Sequence, residues 1–181
     1  VTASYSAIVN NILTFDGSAD YITLPSVDLD FSGGFTIEFW VNYTSRGTYE
    51  RIIEWGQGSA DDNFYLSIDG VSSDNYYLRC YQGASGVSSV TATGILAGVN
   101  GQWTHIAMSM TAGGTVTYYK NGEVWSNVSG NPSSIPNTVS RASNFIGYSN
   151  WSDPKLHGSL DEFRVWTEAR TAAQIKDNMF I

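Results

Sequence analysis

The sequence predicts an all-β fold, an antiparallel two-sheet sandwich closed by one short C-terminal helix. Three observations carry that reading: eleven short runs with period-two alternation, turn residues between most of them, and helical signals only near the end of the chain. At 181 residues the chain suits a single domain spanning 1–181, because β sandwiches of this size keep one core.

The strand runs are, in order, "NILTF", "YITL", "FTIEFWV", "RIIEW", "FYLSI", "YYLRCY", "SSVTAT", "WTHIAMSM", "TVTYYK", "NFIGY" and "SLDEFRVW". In "YKNGEVW", Asn121-Gly122 sits between apolar flanks and predicts a type I′ hairpin, since both central residues must accept positive φ. Thr171 is placed to cap "TAAQIKDNM", and Gln174 three residues on completes a capping box. The longest loop-like stretch, 129–143, is too short to separate domains.

Alternation also sorts faces. Phe64, Leu66 and Ile68 point into the core, as do Leu78 and Cys80, and as do Ile106, Met108 and Met110. Tyr65, Tyr77, Arg79 and Tyr81 then line the opposite face, with Trp103 and His105 as further candidates for it. Such a surface suits stacking on sugar rings.

Composition excludes several classes. Nine Lys and Arg against 17 Asp and Glu give a net charge of −8 with no basic run, which argues against nucleic acid. No apolar stretch approaches the roughly 20 residues of a membrane helix, and "VTASYSAIVNN" lacks the regions of a signal peptide, so the expectation is a soluble domain of a longer exported protein without membrane insertion. Only 14% of residues are charged and another 14% aromatic, a composition that fits an extracellular or cell-surface setting. The single Cys80 forms no internal disulfide. Sequons at Asn42, Asn127 and Asn150 matter only where the source glycosylates secreted proteins.

The motifs "LTFDGSADYITLP", "FTIEFWV", "GQWTHIAMSM", "TYYKNGE", "FIGY" and "HGSLDEFRVWTEARTAAQI", taken in that order, resemble the laminin G-like, or concanavalin A-like, jelly rolls of bacterial multidomain surface and secreted proteins. The resemblance implies two antiparallel sheets, one concave, with the first and last strands side by side. It further implies a structural Ca²⁺ at the rim, with Asp16 and Asp161 as ligands and Asp20 as a third. On the residues alone, Asp16 can instead make an Asx turn before Gly17, and Asp161 can bind backbone amides.

Related jelly rolls include polysaccharide hydrolases with a Glu-x-Asp-x-x-Glu strand, and nothing here matches that pattern. Glu38 stands alone, Glu50 and Glu54 are four apart, and adjacent Asp161 and Glu162 point to opposite faces of an ideal strand. The motifs of similarly shaped lyases are absent as well, and His105 reads as a packed strand histidine. The expected function is therefore a non-catalytic, calcium-stabilised, lectin-like module that binds a glycan or polysaccharide, or else a surface protein, in an adhesin or polysaccharide-processing protein. A structural or protein-interaction spacer is the alternative class, and a lyase or hydrolase is the third.

Two surfaces compete for the ligand. One is the sheet face with Tyr65, Tyr77, Arg79 and Tyr81; the other is a rim of loops that offers Asp61, Asp62 and Asn63 together with Asn150, Trp151 and Asp153. Trp151 in "SNWSDP" has no alternating neighbours and so no evident core to join, which favours the rim.

Overall fold

The computed structural model describes residues 12–59, 61–84, 86–131 and 135–180. Its strands are β1 (Leu13–Asp16), β2 (Ile22–Leu24), β3 (Val27–Asp28), β4 (Gly34–Tyr43), β5 (Arg51–Trp55), β6 (Phe64–Ile68), β7 (Tyr76–Gln82), β8 (Gly86–Ala92), β9 (Thr104–Thr111), β10 (Val116–Lys120), β11 (Glu123–Trp125), β12 (Val128–Asn131), β13 (Ser140–Arg141), β14 (Asn144–Ile146) and β15 (His157–Trp166). One helix, α1 (Ala172–Asn178), follows them. A six-stranded antiparallel sheet runs β1-β15-β4-β9-β10-β11, and a seven-stranded one runs β12-β8-β7-β6-β5-β14-β2; β3 and β13 pair by themselves.

The core lies between the two large sheets. Phe35, Ile37, Phe39 and Val41 of β4 and Ile106, Met108 and Met110 of β9 face Phe64, Leu66 and Ile68 of β6 and Leu78 and Cys80 of β7. This is the set that period-two alternation predicts. Four aromatic rings, Phe31, Phe35, Trp55 and Phe64, pack edge-on, tilted or stacked at one end, with centroid separations of 4.8 to 6.3 Å. Each large side chain buried this way contributes about 1.5–3 kcal/mol.

The local signals are realised. Asn121 and Gly122 both have positive φ, 52° and 79°, and join β10 to β11 with Lys120 opposite Glu123. Thr171 caps α1, and its capping box with Gln174 is complete. The helix covers the outer face of the six-stranded sheet, burying Ile175 against Ala107 and Tyr119. Glu38 is buried on the same sheet, where it accepts from Trp166 Nε1 at 2.8 Å and from Arg170 at 3.2 Å. His105, 1% exposed, packs edge-on against Trp40 at 5.4 Å, and burial pushes its imidazole down to about 4. His105 and Trp103 therefore belong to this face and do not join the tyrosines.

β1 and β15 are neighbours as expected, but their register separates the two aspartates. Asp16 pairs with His157, while Asp161 lies four residues further along β15 opposite Trp40, roughly 13 Å away at strand spacing. A bulge between Asp161 and Arg164, with Glu162 at φ 50°, corrects a second expectation. Asp161 and Glu162 line one surface depression together, beside Trp40 and Met179, rather than facing opposite ways.

Candidate functional site: an aromatic face held by a buried ion pair

β5 contains the feature that builds the site. Arg51 lies opposite Ser67, yet Ile53 lies opposite Leu66 and Glu54 opposite Tyr65, so Ile52 is an extra residue in the ladder. Strict alternation would put residues 51 and 54 on opposite faces; the bulge returns both to the outer face of the seven-stranded sheet.

There they form a buried network. Arg51 donates through Nε to Glu54 Oε2 at 3.1 Å, through one terminal nitrogen to Asp153 Oδ2 at 2.8 Å, and through the other to the Tyr49 carbonyl at 2.7 Å. Glu54 Oε1 accepts from Asn63 Nδ2 at 2.6 Å and from Asn150 Nδ2 at 2.7 Å. Burial pushes the Glu54 carboxyl up, against the pull of Arg51 and the two asparagines. Ser149 Oγ donates to Asp153 Oδ2 at 2.9 Å and accepts from the Trp151 amide at 2.9 Å. The loop 148–154 is thus fastened to β5 at two points.

Fastening positions Trp151. Its ring meets Tyr65 edge-on at 5.7 Å and Tyr81 at 6.1 Å, and the Arg51 guanidinium lies 3.9 Å from the Tyr65 centroid and 5.4 Å from that of Trp151. Tyr77 extends the cluster at 6.4 Å from Tyr65. Arg79 lies opposite Tyr65 in the ladder and sits 5.0 Å from the Tyr81 centroid; its Nε is buried, with no hydrogen-bond partner among the described residues. Tyr65 is covered, whereas Trp151, Tyr77, Arg79 and Tyr81 keep part of their surface exposed.

The sheet face and the rim loop that compete in the sequence are therefore one surface. Trp151 does have neighbours to join: they are the tyrosines of the other candidate set. Asn63, Asn150 and Asp153 are engaged as supports beneath this surface rather than as its face. Asp62 is a structural anchor away from it, accepting from the Gly83 amide at 2.8 Å and Asn137 Nδ2 at 2.7 Å, and Asp61 is an exposed turn residue whose amide donates to Asn63 Oδ1. Sequence reasoning missed Arg51 and Glu54. The available signal was a pair of opposite charges inside the apolar run "RIIEW", where burial demands pairing.

The three acids assigned to calcium do not share a site. Asp16 Oδ1 accepts from the amides of Ser18, Ala19 and Asp20 at 2.7, 2.7 and 3.1 Å, which holds its carboxyl below the usual range. Asp20 Oδ2 accepts from the Asp16 amide at 3.2 Å, and Asp161 Oδ1 from the Glu162 amide at 2.8 Å. Among the described residues no group of three or more His, Cys, Asp or Glu is arranged to hold a metal ion. Asp16, Asp20 and Asp161 do not fit a common ion.

Two large antiparallel sheets packed face to face, with the first and last strands side by side, form a jelly roll. The chain belongs to the concanavalin A-like lectin/glucanase superfamily, whose family model matches residues 16–176. Among solved structures it is similar to domain 4 of AbnA, a GH43 extracellular arabinanase from Geobacillus stearothermophilus, solved in complex with arabinotriose. That likeness has 28% identity and a TM-score of 0.66, over 93% of this chain and 81% of that one. In fold it is also similar to a SAP-like pentraxin from Limulus polyphemus, at 16% identity and TM-score 0.58 over 91% and 79% of the two chains. The binding domain of botulinum neurotoxin serotype G gives 14% identity and TM-score 0.62 over 93% and 42%. No curated protein matches the chain in sequence.

Proposed function

We propose that this domain is a non-catalytic carbohydrate-binding module of an extracellular or cell-surface protein. Its ligand is an uncharged glycan stacked on Trp151, Tyr77 and Tyr81, with the hydroxyls taken by Arg79. The observation that carries the reading is the convergence of these partly exposed rings around the partly exposed Arg79, whose guanidinium lies 5.0 Å from the Tyr81 centroid and 5.9 Å from that of Tyr77. Rings of this kind stack on the apolar faces of sugars, and fixing them in advance lowers the entropic cost of binding. The acids nearest the face support binding rather than hydrolysis: Glu54 and Asp153 are both paired with Arg51, which leaves neither as a free proton donor or nucleophile. Arabinan is the first ligand to try, because the 28% identical domain was solved with arabinotriose.

The test is calorimetric titration with arabinotriose and a panel of neutral oligosaccharides, using wild type, Trp151→Ala and Arg79→Ala. Loss of binding in both folded variants, by about 1–3 kcal/mol each, is the expected result. Unchanged affinity in both, or reducing or unsaturated ends released from any polymer, would overturn the reading.

A further inference from the structure

The same sheet face continues past Glu54. Phe145 of β14 lies directly opposite Glu54 on one side and Thr23 of β2 on the other, so its side chain shares the face of Glu54 and Tyr65. Around it stands a second group of rings. Tyr148 meets Phe145 edge-on at 5.1 Å, and Tyr21 meets Tyr148 at 4.8 Å and Phe145 at 5.9 Å. Tyr21 is 45% exposed, unusual for a large aromatic already inside a cluster.

This group is held in place as the first one is. The Lys155 ammonium lies 4.9 Å from the Tyr21 centroid and 5.2 Å from that of Tyr148, and it donates to the Ala19 carbonyl at 3.3 Å. Tyr148 and Trp151 belong to the one loop fastened by Asn150 and Asp153, so a single segment supplies a ring to each group. Phe145 and Tyr65 flank Glu54 on neighbouring strands, about 10 Å apart across two inter-strand spacings. That separation suits successive sugar units rather than one sugar touching both groups.

We propose that Tyr21, Tyr148 and Phe145 form a second stacking platform, and that the two platforms together take an extended, uncharged polysaccharide running across the strands. This deepens the carbohydrate-binding reading and rests on it. Charge points to the ligand class: the chain carries a net −8, Arg51 is neutralised by Glu54 and Asp153, and the two cations that remain on the track, Arg79 and Lys155, both lie against aromatic rings. Among the described residues β2 is the edge strand of its sheet, so no described strand closes the track at the Tyr21 end.

The test compares arabinotriose with a linear arabino-oligosaccharide long enough to cover both platforms, or the corresponding pair from whichever neutral polymer binds in the panel. Wild type should bind the long chain about tenfold more tightly than the short one, a difference of about 1.4 kcal/mol. Tyr21→Ala and Tyr148→Ala should remove most of that difference and leave trisaccharide affinity unchanged, while Trp151→Ala weakens both. Chain-length-independent binding, or long-chain affinity unaltered in both tyrosine variants, would overturn the second platform and leave the first standing; preference for polygalacturonate would overturn the uncharged ligand assigned to both. Failure of every glycan to bind would overturn the reading beneath it.

Discussion

Replacing Arg51 by alanine should be among the most damaging single changes to this domain. The side chain is 2% exposed and its partner Glu54 is 0% exposed, so truncation leaves a buried carboxylate supported only by Asn63 and Asn150. Breaking a buried pair from one side costs about 3–5 kcal/mol. The guanidinium over Tyr65 at 3.9 Å adds about 0.5–2 kcal/mol, and Asp153 loses its hold on the loop that carries Trp151. Taking about 4 kcal/mol, and about 2–4 °C per kcal/mol for a chain of this length, the melting temperature should fall by about 8–16 °C. Thermal unfolding followed by circular dichroism reads this directly. The pH dependence carries more information. Burial already raises the Glu54 carboxyl, and removing its cation raises it further, so the folded variant holds the proton more tightly than the unfolded chain. Stability from such a group is present below the unfolded pKa and is lost as pH rises, so the deficit should shrink toward pH 4.5 and grow toward neutrality. Replacing Arg51 and Glu54 together by methionine should recover part of the loss, because the unpaired buried carboxylate is removed, while Asp153 and Asn63 each still lose a partner. A fall below about 3 °C at neutral pH, or a deficit indifferent to pH, would refute the argument.

Two buried groups should oppose each other on the acid side. His105 is pushed down to about 4, so its contribution is whole above 6.5 and is lost as pH falls; Glu50 is pushed up to about 7, so its contribution is whole below 4.5 and is lost as pH rises. Relative to wild type, His105→Gln should gain melting temperature as pH drops from 6.5 to 4, and Glu50→Gln should gain as it climbs from 4.5 to 7; flat differences would show that neither group titrates as its burial requires. Asp16→Ala should destabilise by releasing three turn amides, by the same amount with and without chelator, and a loss seen only in the presence of Ca²⁺ would restore a metal role to that residue.

The sequence made the core faces legible wherever a strand kept its pleat. Alternation in β6, β7 and β9 sorted Leu66 from Tyr65 and Leu78 from Arg79, because one face of each strand must be apolar. Local chemistry served equally well at Asn121-Gly122 and at the Thr171 capping box, where the signal is complete within a few residues. What escaped were features that depend on register between distant segments. A bulge at Ile52 reverses the face of Arg51, and another reverses the alternation at Asp161 and Glu162. The adjacency of β1 and β15 was readable from motifs, but the four-residue offset between Asp16 and Asp161 was not, since ladders slide without changing either sequence. Two-residue strands such as β3 and β13 carry too short a pattern to detect. Trp151 has no alternating neighbours in its own segment, and its ring neighbours come from strands far away in the chain.

The position of β15 has a consequence for how the chain is made. β15 lies between β1 and β4, so the ladder of β1 and one edge of β4 wait for a strand that begins at residue 157. As the chain emerges from the ribosome, the seven-stranded sheet can gather most of its strands, while its partner sheet keeps a gap between β1 and β4. Pairing across so long an interval is slow, and open apolar strands such as β4 are where two nascent chains would join each other instead. Arrival of β15 converts that exposed slot into the interior of a sheet, and α1 then closes over Ala107 and Tyr119.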